Sequence, residues 1–103
     1  MSTALEALLE NEKATAEAHI DAERAVQAAK QLKDSIDAAA RRVVAVPVVV
    51  GSALHGKATA AILEAHDAAE ALVQLATLRA EVAATDAEAA YLAVKAARHP
   101  DDV

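Results

Sequence analysis

Residues 46–56 read Val46-Pro47-Val48-Val49-Val50-Gly51-Ser52-Ala53-Leu54-His55-Gly56 and hold both glycines and one of the two prolines of the 103-residue chain. Pro47 disfavours helical geometry at Val46, and Gly51 and Gly56 bracket an apolar segment poorly suited to continuing a helix. On either side, residues 3–46 and 57–99 contain neither Gly nor Pro. One interruption therefore separates two long helices. The expected organisation of the single helical domain, 1–103, is a helix over about 3–46, an apolar turn over 47–56, a helix over about 57–98 and an acidic tail over 99–103. At 1.5 Å per residue the helices are roughly 66 and 63 Å long, close enough in length for a full antiparallel hairpin.

Composition supports an all-α fold. Of 57 apolar residues 31 are alanine, with 11 Val, 10 Leu, 3 Ile, one Met and one Tyr, and Phe, Trp and Cys are absent. Alanine is the best helix former and is depleted in strands. A core built on alanine is thin, and a lone compact layer would lack the large side chains that usually fill its centre. Elongation or assembly into a four-helix bundle or larger helical oligomer is the natural way out. Without cysteine, disulfides and thiolate chemistry are excluded.

Apolar positions recur at helical spacing through Leu5, Leu8, Leu9, Ala16, His19, Ala22, Val26, Ala29, Leu32, Ile36, Ala39, Ala40 and Val43, a continuous stripe in steps of three and four. Thr3-Ala4-Leu5-Glu6 has the capping-box pattern that starts a helix, and Thr85-Asp86-Ala87-Glu88 repeats it inside the second helical run. The second box, and the polar stretch around Asp34, raise an alternative: each run splits there and folds as a short hairpin, giving a monomeric four-helix bundle. Against it, neither place holds a Gly or a Pro.

Residues 17–29 and 64–76 are identical at eight of thirteen positions, among them Glu17/Glu64, His19/His66, Glu23/Glu70 and Gln27/Gln74. In both copies a histidine precedes a glutamate by four residues, so imidazole and carboxylate share one helical face. His19, Glu23, His66 and Glu70 are thus the candidate metal ligands, since imidazole and carboxylate suit zinc and similar divalent ions and a bundle core can hold them. The Glu-x-x-His spacing of di-metal bundles is absent at all four histidines. The bland expectation is a polar layer in which His19 and His66 bond carboxylates, stay half-exposed and set the register of an alanine seam. In a fully overlapped antiparallel dimer, His19 and the second copy's His66 differ in level by roughly two turns. No other cofactor is expected: no Cys-x-x-Cys-His points to haem, and no catalytic residues are assigned, because the chain holds no glycine-rich phosphate loop and no credible nucleophile elbow.

Charge is polarised along the chain. Net charge is −5 over 1–23, +3 over 24–46, −1 over 57–80 and −3 over 81–103. A hairpin folded at the turn therefore carries −8 at its open end and +2 at its turn end. Side-by-side parallel pairing sets −8 against −8, whereas antiparallel pairing sets each acidic end against a mildly basic one. A homo-oligomer, an antiparallel dimer or higher, is the expected partner state. The apolar turn adds a second docking candidate, with Val46, Val48, Val49, Val50 and Leu54 as interaction residues, capped either by a neighbouring subunit or by another protein.

The acidic balance and the near absence of aromatic residues argue against nucleic acid. The longest uncharged run, 43–54, is twelve residues, against about 20 for a membrane span, and no basic n-region precedes an apolar stretch. The expected setting is the cytoplasm or an assembled particle. Two marks of the small helical substrates of type VII secretion are missing: the turn has no Trp-x-Gly, and Tyr91 is followed four residues later by Lys95, where those proteins carry an acidic residue. Heavy Ala and Val use, with Arg equal to Lys, suits a GC-rich bacterial or phage genome. The functional expectation is a non-enzymatic structural or interaction protein, a self-assembling hairpin serving as a subunit of a larger particle. The alternative is a metal-binding bundle using the paired His and Glu residues.

Overall fold

The computed structural model describes residues 3–44 and 53–99. They form two α-helices, α1 (Thr3–Val44) and α2 (Ala53–Arg98), packed against each other as a hairpin. Asp37 lies opposite His66, and Val26 and Ala29 lie opposite Ala76 and Ala80, so the helices run antiparallel along their length. The hairpin measures 75 × 18 × 16 Å with a radius of gyration of 22.7 Å, where a compact chain of this length has about 13 Å.

Both helices are continuous through the places where breaks were conceivable. α1 passes Asp34 unbroken and α2 passes Thr85 unbroken, which removes the four-short-helix alternative. At Thr85 the capping-box pattern is not used. The Thr85 hydroxyl donates to the carbonyl of Glu81, four residues back, at 3.0 Å, and so serves the existing helix instead of capping a new one. Thr15, Thr59 and Thr77 do the same toward Asn11, His55 and Val73, each at 2.8 Å.

The N-terminal end of α2 differs from expectation. Residues 53–56 were read as the end of the turn, and the structure makes them the first turn of α2. Gly56 is the fourth helical residue, where its N–H is among those with no intrahelical partner to lose. An added Cβ at Gly56 would meet nothing within 4 Å. Gly56→Ala is accordingly expected to stabilise the hairpin by about 0.5–1 kcal/mol, because alanine loses less backbone freedom on folding. A thermal melt checks it: a rise of several degrees is expected, and an unchanged or lower midpoint would show that α2 does not begin before Gly56. The remainder of the turn, including Val46 and Val48–Val50, lies outside the described residues, as does the acidic tail from 100 onward.

The seam is built from small side chains. The buried residues are Val26, Ala29, Ala69, Ala76, Ala80, Ala90 and Val94; among the described residues no polar side chain is buried, and none of any kind is fully enclosed. Val26, Ala29, Ala76 and Ala80 form the central cluster, flanked by Ala22 and Val73. Alanine at these positions lets the helices approach closely. A helix with one neighbour covers a narrow strip only. Leu5, Leu8, Leu9, Ala22 and Ile36 of the expected α1 stripe are half-buried, but Ala16, Leu32, Ala39 and Val43 are exposed. Leu32 is out because the inward line runs Val26, Ala29, Lys33, Ile36, Ala40, and the apolar stripe is wider than one partner helix can cover.

Candidate functional site: a polar flank and an apolar groove

The four candidate ligands fall into two separate pairs. On α1, His19 Nε2 lies 3.4 Å from Glu23 Oε1, with both side chains partly exposed. On α2, His66 has ligand-capable atoms grouped with those of Asp67 and Glu70 within 4.8 Å of one another. The hairpin also brings α1 to this second group, since Asp37 Oδ1 is 3.6 Å from His66 Nε2 and Asp67 Oδ1 is 3.7 Å from Nδ1. His66 is level with Asp37, so His19 and His66 stand eighteen residues apart along α1, about 27 Å. Within one chain, the structure does not unite His19 and Glu23 with His66 and Glu70. Each histidine instead faces carboxylates of its own neighbourhood and remains half-exposed, in keeping with the polar-layer expectation.

Asp37 is the member of this cluster that sequence reasoning missed. A hairpin of equal arms folded around residues 51–52 places 66 opposite 37, so the signal was present in the numbering. Periodicity within one helix cannot show it.

The opposite side of the hairpin is apolar. Ala22, Ala25, Ala28, Ala29 and Leu32 of α1 and Leu72, Leu75 and Ala76 of α2 line a groove between the helices, with Asp21 and Arg79 beside them. It continues toward the open end, with Asp86 beside both stretches, past Thr15, Ala18, Leu78, Val82 and Ala83 and then past Asn11, Ala89, Ala90 and Ala93, where its lining becomes more polar. At about 100° per residue, Leu32 lies some 140° around α1 from His19, and Leu75 some 180° around α2 from His66. The polar flank and the groove are two distinct faces.

The groove leaves large side chains in water: Leu32, Leu72 and Leu75 are 46%, 44% and 47% exposed. The chain as a whole exposes 7681 Å², against about 5,500 Å² for a compact monomer of its mass. Of the interaction residues expected at the turn, only Leu54 is among the described residues, and it is 78% exposed. No described helix is long and apolar enough to cross a membrane. Comparison with known proteins adds no family: no family model, no curated protein and no solved structure matches the chain.

Proposed function

We propose that this chain is a non-enzymatic structural and interaction protein, a helical hairpin that self-assembles as a subunit of a larger particle of bacterial or phage type. The observation that carries this is the unpaired apolar groove, running along a rod whose own seam encloses no side chain completely. Sequences that leave leucines half in water along one continuous face gain free energy when that face is covered. Homo-oligomerisation covers it, and the valine-rich turn offers a further contact for another protein. Nucleic acid and membrane are not among the proposed partners.

Light scattering behind a sizing column, at two protein concentrations and two salt levels, is expected to give the mass of a dimer or larger assembly. A monomer under all four conditions overturns the proposal.

A second function is favoured by one observation, the grouping of His66 with Asp67 and Glu70 and the approach of Asp37 from the other helix. Here His66, Asp67 and Glu70 hold a divalent ion on α2, with Asp37 of α1 orienting the imidazole through its Nε2 and with His19 and Glu23 as a weaker half-site. Zinc titration by calorimetry is expected to lose its strongest binding event in His66→Ala and to keep it in His19→Ala. Identical titrations of both variants and the natural chain end this reading.

A further inference from the structure

We infer that the groove is closed by a second copy of this chain, laid face to face and antiparallel, so that α1 packs on its own counterpart and α2 on its own. This rests on the self-assembly proposed above and adds its symmetry, the orientation of the two copies and which helix lies on which. Three observations carry it.

The first is area. The chain exposes 7681 Å², roughly 2,000 Å² more than a compact monomer of its mass. One 75 × 18 Å face of the rod, covered on each of two copies, comes to roughly 2,700 Å², within the range of about 2,000–5,000 Å² buried in obligate homodimers.

The second is position. The richest part of the groove is lined by residues 21–32 of α1 and 72–79 of α2, and Leu75 stands at mid-length of α2 (Ala53–Arg98). A two-fold axis crossing the hairpin there reverses the second copy while keeping full overlap, and it sets this central part of the groove on itself. Such an interface is isologous and closes at two subunits. Leu75 then meets its own counterpart, and so does Ala28, on the same level of α1. Small residues at 22, 25, 28 and 29 let the α1 helices approach closely, as in the hairpin's own seam.

The third is charge. Face-to-face stacking has two symmetric solutions. In the antiparallel one, α1 lies on α1 reversed, so its −5 half faces a +3 half twice over, while the α2 stretches 57–80 and 81–98, of −1 each, repel weakly. In the parallel one, α1 lies on the second copy's α2, with −5 against −1 at the open end and only +3 against −1 at the turn. The large charges reside on α1, and the antiparallel arrangement alone sets them against opposite sign. Exposed charges of this kind select orientation and leave affinity to the apolar groove. The His19 and His66 clusters stay on the outer faces of such a four-helix bundle, apart from one another.

The absence of cysteine makes single-cysteine variants of the full chain a direct test. Leu75→Cys is expected to oxidise to a covalent dimer on the order of a hundredfold faster than Gln74→Cys, because thiols held together in a dimer react at millimolar effective concentration. In an equal mixture of Ala28→Cys and Leu75→Cys, distinguished by mass, the antiparallel pairing predicts Leu75–Leu75 products, and the parallel pairing predicts Ala28–Leu75 products. Preferential Ala28–Leu75 linkage, or linkage of Gln74→Cys as fast as that of Leu75→Cys, overturns this inference while self-assembly stands. A monomeric mass with no preferential linkage overturns both.

Discussion

Ala29→Asp and Ala76→Asp are each expected to abolish the cooperative thermal unfolding of the hairpin. Ala29 is 4% exposed and Ala76 is 7% exposed, and they share the central cluster with Val26 and Ala80. An aspartate there puts a carboxylate into a seam in which no polar side chain among the described residues is buried. An uncompensated buried charge costs about 3–5 kcal/mol, a large part of what so thin a core supplies. Circular dichroism on heating is the measurement. Some helical signal survives, because alanine-rich segments of this length hold partial helix without a partner, but it declines gradually instead of in one transition. Ala71→Asp is the matched control: Ala71 is exposed on α2, and the change costs about 0.7 kcal/mol of helix propensity. A cooperative melt of Ala29→Asp at the natural midpoint would show that the helices do not meet at this level.

The second large effect separates assembly from folding. Leu72→Ser/Leu75→Ser is expected to weaken self-association by roughly a thousandfold. Each leucine is already a little more than half covered by its own chain, and covering the rest is worth about 1 kcal/mol. Four such side chains in a dimer amount to about 4 kcal/mol, which is a factor near a thousand in the dissociation constant. Neither leucine belongs to the buried seam, so the variant keeps its helical circular dichroism while its sedimentation shifts to the monomer at concentrations where the natural chain is assembled. Retention of the assembled mass would place the contact elsewhere, with the valine-rich turn the next surface to mutate.

The candidate site was legible in part. His19 with Glu23 and His66 with Glu70 are pairs within one helix turn, and spacing alone predicts that each pair shares a face; both do. Whether two pairs meet depends on level along the hairpin, and α1 carries His19 some 27 Å from the level of Asp37 and His66. Leu32 was read as part of the buried stripe for a related reason. Its spacing from Ala29 and Ile36 is helical, yet the seam passes through Lys33 beside it, and a wide apolar stripe has one edge inside and one edge in water when only one helix covers it.

Helix type and the single reversal were determined by the sequence itself, and so were the helix lengths apart from the first turn of α2. Alanine content, steps of three and four, and the confinement of Gly51, Gly56 and Pro47 to one segment are all local properties, and local backbone energetics read them directly. The tertiary structure alone decided which alanines are enclosed, that Asp37 faces His66, and that Leu32, Leu72 and Leu75 form one groove opposite the histidines. In a chain with 31 alanines, many positions offer the same small side chain. The face that is buried is then chosen by how the two helices fit against each other, and no single helix contains that information.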